Sequence, residues 1–465
     1  MKKKLIILGG IIILIIAAVV FFLWPKSYSN ESTHHEDTDV VCGVTSAESS
    51  LYGCICAVDY GAVYASDQRI MYIDGQSLNK YCICGRSGCL HNSSDCPAWY
   101  DSDETISGLA LYQDKVFWIL KNETAHAWQL CSMALGDGQR VVISEIPYAE
   151  YEPNKWILDG ITDVYYTGNM VWLELSWAKT IEEEDETGSY TIFDSQTQIL
   201  GIDLDSGQLT ELTELADSEV RDEWELLFAY QGAAIVEKAT YENEEPEDYE
   251  SFRSGYEQDP GKYDFSYNDT LDTGHEIDYY SRYQAYLQVQ DHYFQVYLMD
   301  ASADSKLIME DSGIFERFEY EGGGEWVHDW LPVSFIDEYE GRLLCSEFGD
   351  YYADCYWLDP ETLEKTPALS IASGGILDMG ESYSGTYHIY ALYSDDMETA
   401  DVYSLDYETG ESTFLYHDST IQISFRVQGK LGDSYIGYMN EGRDLKTISI
   451  EDFNAGNFKA AKMFL

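Results

Sequence analysis

Two kinds of apolar pattern divide the chain. The first is an unbroken run from Leu5 to Leu23, preceded by Lys2, Lys3 and Lys4 and closed by Trp24 and Pro25. As a helix it would reach roughly 28 Å, the thickness of a hydrocarbon core, and it is apolar on every face. The second begins near residue 55, where apolar and polar residues alternate with period two between clusters of Gly, Asp, Ser and Thr. That alternation predicts strands rather than helices. Examples are Lys115–Leu120, Met170–Leu175, Ala233–Lys238, Arg342–Phe348, Tyr387–Tyr393 and Ser434–Met439.

Each such strand is followed by a recurring hairpin. Ile199–Leu204 runs into Asp205-Ser206-Gly207 and returns over Gln208–Leu212. Val402–Asp406 turns at Glu408-Thr409-Gly410, and Cys355–Asp359 turns at Pro360-Glu361-Thr362. Weaker copies lie at Arg69–Cys84, Gln129–Ile146, Phe294–Met309 and Lys446–Phe464. The hairpin turns fall near residues 75, 137, 206, 303, 361, 409 and 455. With one insertion set aside, the unit is about 45–65 residues, the length of a four-stranded propeller blade with its loops. The predicted fold is therefore an all-β β-propeller of seven blades, with six and eight as neighbouring counts, preceded by one N-terminal transmembrane helix. Two stacked β-sandwiches are the competing architecture, but they do not require seven copies of one hairpin.

The domain plan follows. Residues 1–25 are the cytoplasmic lysines and a retained signal-anchor; residues 26–50 are a polar tether; residues 51–465 are the extracytoplasmic propeller. Retention is favoured over cleavage because bulky Phe21, Phe22, Leu23 and Trp24 follow Ala17 and Ala18, and no cysteine lies nearer than Cys42. The lysines stay inside and the bulk of the chain lies outside, in a single-pass cell-membrane protein. His34-His35 falls in the tether and reads as solvated. An acidic, Tyr-rich insertion spans 240–291, and a shorter acidic one spans Ile181–Gly188.

Charge narrows the partners. Lys and Arg total 27 against 84 Asp and Glu, a formal net charge of −57. Nucleic acid is excluded as a general partner, because too few cations exist to neutralise phosphates. A core is assured by 45% hydrophobic residues, so the acidity does not signal disorder. No EF-hand loop is present; Asp203-Leu204-Asp205-Ser206-Gly207 fails the spacing.

The sharpest local chemistry lies in the loop 82–96. It reads Cys84-x4-Cys89-x-His91-x4-Cys96, with Cys82 just upstream. Three thiolates and one imidazole could close a tetrahedral zinc shell, which would be structural because no position is left for water. The alternative is disulfide chemistry, natural outside the membrane. His91 has a role only in the metal scheme. Cys345 and Cys355 flank Gly349-Asp350-Tyr351 symmetrically and are expected to form a cross-strand disulfide.

The Lys-rich anchor, the Cys84…Cys89-Leu90-His91…Cys96 loop and the repeated Tyr-Asp-turn-Gly blades together resemble uncharacterised clostridial membrane-anchored proteins, TolB-like β-propellers with a C-x4-C-x-H-x4-C loop. The resemblance implies a Gram-positive cell surface and a propeller, and brings no catalytic residues with it.

No G-x-S-x-G elbow, H-E-x-x-H helix, P-loop or seven-fold Asp-box is present. His292, His328 and His388 are single and scattered, and carboxylate pairs are too numerous to single one out. No catalytic residue is assigned. The function expected is a non-catalytic binding, sensing or scaffold module for a cell-surface protein, peptide or glycan. An extracellular carbohydrate-active or other hydrolytic propeller enzyme is the alternative. Trp326, Trp330 and Tyr339 are candidate stacking residues, although most aromatics on strands belong to blade cores.

Overall fold

In the computed structural model the chain forms seven four-stranded antiparallel sheets, one after another along the sequence. The structure describes residues 44–46, 55–58, 60–101, 104–112, 114–148, 155–185, 188–215, 223–241, 249–258, 292–311, 318–319, 325–326, 333–349, 352–372, 376–378, 387–394, 398–419, 425–439 and 445–464. The predicted anchor and nearly all of the predicted tether lie outside these residues. No helix among the described residues is long and apolar enough to cross a membrane.

Blade 1 comprises Ile55–Val58, Gly61–Ser66, Arg69–Asp74 and Lys80–Cys82. Blade 2 runs Thr105–Tyr112, Lys115–Asn122, Ala127–Ala134 and Val141–Pro147. The later blades begin at Ile157, Glu223, Val333, Ile376 and Phe425 and repeat the same up-and-down order. First strands abut from blade 1 through blade 5, shared buried clusters join blades 5, 6 and 7, and the first strand of blade 7 abuts that of blade 1, so the ring closes. Each blade is complete from its own stretch of chain. Val44–Ser46 adds one further short strand along the axis-side edge of blade 3, pairing with Asp163–Tyr165.

The apolar core is divided among the junctions. Among the described residues there are seven clusters of buried side chains, and each spans one pair of adjacent blades. Period-two alternation explains this: successive side chains point to opposite faces of a blade, so each blade feeds two junctions. The junction of blades 7 and 1 holds Ile55, Ala57, Ala62, Ile73, Leu431, Ile436 and Phe464. Tyrosine hydroxyls cross several junctions. Tyr166 donates to the Gly108 carbonyl at 2.6 Å, and Tyr230 to the Gly341 carbonyl at 3.0 Å. Tyr407 donates to Asp337 Oδ2 at 2.5 Å.

The seven turns read from the sequence each join the third and fourth strands of a blade, and so lie on one face of the ring. Five blades begin this turn with an aspartate whose Oδ1 accepts backbone N–H groups: Asp74, Asp203, Asp300, Asp359 and Asp406. The local Asp bond replaces ladder bonds lost at the chain reversal. Backbone donors hold the carboxyls of Asp203, Asp359 and Asp406 below the usual range. The turn then needs a left-handed residue, filled by Gly207 and Gly410 but by Leu78 and Leu363 elsewhere. In blade 7 the third and fourth strands still pair, Lys446 with Met463 and Thr447 with Lys462, but their connection contains a helix, Ile450–Asn454, capped by Ser449, whose side chain accepts from Asp452 N.

The opposite face carries the elaborations. The second and third strands of blade 3, Met170–Asp185 and Gly188–Asp203, are 16 residues each and pair along their whole length. The connection 242–291 joins the second and third strands of blade 4 and includes a helix, Tyr249–Gln258.

Candidate metal centre

The fourth strand of blade 1 is interrupted. Lys80–Cys82 pairs with Met71–Ile73, and Ile83 N donates to Ile70 O at 3.2 Å. The chain then leaves the sheet over 84–97 and returns to the same residue: Ile70 N donates to Ala98 O at 3.0 Å, and Tyr100 N to Gln68 O at 3.0 Å. Ile70 thus ties both ends of the Cys/His loop at its neck.

Within the loop, single ligand atoms of Cys84, Cys89, His91 and Cys96 all lie within 4.8 Å of one another. Tetrahedral zinc with bonds near 2.3 Å to sulfur sets thiolates about 3.8 Å apart, so only small adjustments separate this arrangement from a closed shell. His91 Nδ1 stands 3.4 Å from Cys96 Sγ. His91 is 1% exposed and sits in left-handed backbone at φ 53°, a conformation histidine tolerates better than most residues. Gly88, at φ 76°, opens the tip of the loop. These four residues are the ones the spacing singled out, and together they could bind a metal ion.

Cys82 lies close by and exchanges a hydrogen bond with Cys96, which lowers the Cys82 thiol below its ordinary range. The Cys96 thiol is pushed up to about 11, first by that hydrogen bond and then by burial. Burial pushes the Cys84 thiol up to about 12. The raised values at Cys84 and Cys96 favour the protonated thiol there, and a bound divalent cation would reverse that preference. Inside 84–97 the backbone makes two hydrogen bonds, Cys89 N to Arg86 O and Cys96 N to Ser93 O, worth about 1 kcal/mol each. A structural zinc contributes on the order of 10 kcal/mol, so an ion would dominate the order of this loop.

The loop is wedged against blade 2. Gly136 N donates to Ile83 O at 3.2 Å, and Arg86 Nε to Gly138 O at 2.7 Å. Arg140 Nε donates to Pro97 O at 2.9 Å, and its Nη2 donates to Trp99 O. A Cβ on Gly85 would stand 1.7 Å from Gly136 O, so only glycine permits this approach. Cys82, Cys84 and Cys96 belong to the same buried cluster as Leu109, Trp118, Cys131 and Leu135 of blade 2.

The expected Cys345–Cys355 disulfide is corrected. Gly349 pairs with Tyr352, so Cys345 stands opposite Tyr356 and Cys355 opposite Ser346. That one-residue offset sends the thiols to opposite faces of blade 5. Cys345 packs in the junction of blades 4 and 5, and Cys355 in that of blades 5 and 6. Neither forms a disulfide, and no other described cysteine does. Tyr339 is half-buried, packing on Trp357 and Tyr407 with ring centroids 6.2 and 5.3 Å away. Trp326 pairs with Phe318 in a short ribbon, and Trp330 lies outside the described residues.

Among the buried carboxylates that sequence reading passed over are Glu174 and Glu237. Glu174 accepts from Thr162 Oγ1 at 2.6 Å and from Leu226 N at 2.7 Å, joining blades 3 and 4. Glu237 is 5% exposed and stands opposite Glu225. Burial first, and Glu225 second, raise its carboxyl to about 8. The available signal was an acid at an inward position of an alternating strand, between Ile235 and Ala239.

No protein-family model matches the chain, and no curated protein matches it. Among solved structures, an oligogalacturonate lyase from Vibrio parahaemolyticus shares 10% identity over 88% of this chain and 85% of its own, with a TM-score of 0.39. An uncharacterised Listeria monocytogenes protein shares 10% over 82% of this chain and 91% of its own, TM-score 0.39. Porphyromonas gingivalis dipeptidyl peptidase 4 shares 9% over 93% of this chain and 56% of its own, TM-score 0.39. Likenesses this distant transfer neither residues nor activity, and the blade count rests on the strand register above.

Proposed function

We propose that this chain is a membrane-tethered, extracytoplasmic β-propeller of a Gram-positive cell surface that works as a binding, sensing or scaffold module, with structural zinc in its Cys/His loop. The observation that carries the non-catalytic reading is the placement of the loop. The one set of convergent metal-ligating side chains among the described residues is largely buried beside a blade junction, and its four ligands leave no coordination site for substrate. The binding reading draws on the opposite face, where the long blade 3 hairpin and the blade 4 connection leave the ring on the same side. Loops carried by a rigid ring suit recognition of a protein, peptide or glycan.

The test is crosslinking on intact cells followed by recovery of the chain, with a variant in which the hairpin is trimmed between Lys179 and Asp194. One partner recovered stoichiometrically by the intact chain and lost from the trimmed one supports the reading. Reproducible turnover in a glycan and peptide hydrolysis screen would replace it with the enzyme alternative. Elemental analysis of protein purified without chelators should give about one zinc per chain.

A further inference from the structure

The Cys/His loop does more than fold itself: we propose that the ion it holds is a latch that keeps the first blade docked on the second, so that metal occupancy governs whether the ring stays closed. This rests on the reading that the loop binds a soft divalent cation such as zinc.

Three features point this way. Hydrogen bonds crossing to the blade 2 turn come from both ends of the loop: Ile83 and Arg86 at its start, Pro97 and Trp99 at its end. Those two ends are brought together at Ile70. The ligands themselves lie between, so drawing four side chains to one ion fixes both sets of bonds at once. Next, the contact of Gly85 with Gly136 is backbone against backbone. It exists only while the loop keeps this path, because no side chain at Gly85 reaches across if the path changes. Finally, blade 1 packs on blade 2 partly through this loop, with Ile83, Cys84 and Cys96 in one buried cluster with Val63, Ile70 and Tyr72 of blade 1 and Leu109 and Trp118 of blade 2. The fourth strand of blade 1 is three residues long, and no strand from another blade joins its sheet. Its other side is held by side-chain packing against blade 7. Loss of the ion would leave thiols and an imidazole inside the blade 1–2 cluster without their common partner. The loop would then leave the turn at Gly136–Arg140, and the blade behind it would open as a unit.

The experiment is hydrogen exchange on the full-length chain in mild detergent, zinc-loaded and after treatment with a soluble divalent-metal chelator, with zinc counted in each sample. Chelation should speed exchange at least about tenfold in Ile55–Cys82 and Thr105–Leu111 while Ala233–Thr240, Arg342–Leu358 and Tyr387–Asp406 stay unchanged. A second variant, Arg86→Ala with Arg140→Ala, keeps all four ligands. It should bind zinc stoichiometrically, yet blade 1 should exchange fast with or without the ion. Zinc bound with faster exchange confined to 84–97 would overturn the latch and leave the metal reading standing. Equal acceleration across all seven blades would overturn it too. Failure to bind zinc would remove both.

Discussion

Glu237 gives this fold a pH dependence with a calculable sign. Its strand neighbours on the same face, Ile235 and Ala239, pack in the apolar junction of blades 4 and 5. The carboxyl therefore titrates near 8 in the folded chain rather than near its ordinary 4.5. Below pH 4.5 the group is neutral folded or unfolded and has no effect on stability. Between pH 4.5 and 8 the unfolded chain ionises while the folded chain holds its proton. The folded state then binds more protons, so stability falls as pH rises, by up to about 1.4 kcal/mol per pH unit. Summed over that window, the penalty is on the order of 4 kcal/mol at pH 8. Glu237→Gln keeps the shape and removes the titration. It should match the wild type near pH 4.5 and exceed it by on the order of 4 kcal/mol at pH 8. Denaturant unfolding followed by tryptophan fluorescence, at half-unit steps from pH 4.5 to 8.5, reads this directly. The net charge of −57 and the raised carboxyls of Glu174 and Glu225 give both proteins a common downward slope. The difference between the two curves therefore reports Glu237 together with its coupling to Glu225. Parallel curves across the whole range would refute the reasoning.

Gly85→Ala should destabilise by about 3 kcal/mol, since the new Cβ must push the Gly136 turn away; an unchanged denaturation midpoint would contradict the close approach. Leu363 sits at φ 62° and is 47% exposed, so Leu363→Gly should relieve about 1 kcal/mol of left-handed strain and stabilise by about half that after the entropy of glycine is subtracted. At the matching position of blade 6, Gly410→Leu should cost about 1 kcal/mol, and thermal melts of the two variants should move in opposite directions. Alkylation of the unreduced, denatured chain followed by mass spectrometry should modify both Cys345 and Cys355; a mass two hydrogens short with neither labelled would restore the disulfide.

The turns were legible because their chemistry is local. Asp203 and Asp406 each bond to donors within three residues, so spacing alone reveals the reversal. The Cys/His cluster was legible for the same reason, as Cys84 to Cys96 is one short stretch. What lay beyond reading was the loop's neighbour. Nothing near Gly85 announces Gly136, because that contact depends on how two blades nest. The cysteine pair failed on a single residue of loop length, which alternation turns into a reversal of face. In blade 7, Ser449 and Asp452 form a capping pair, and this local helix start lengthens the connection between two strands that still pair. Glu237 was hidden by composition, one acid among 84 Asp and Glu.

Building every four-stranded sheet from one uninterrupted stretch has a further consequence for how such a ring can change. A whole blade can be duplicated or deleted by cutting in the linkers, since no sheet would be left a strand short. The junction where the two ends of the ring meet is interchangeable in principle with any other. The chain could begin at a different blade and enclose the same axis, as a necklace can be unclasped between any two beads.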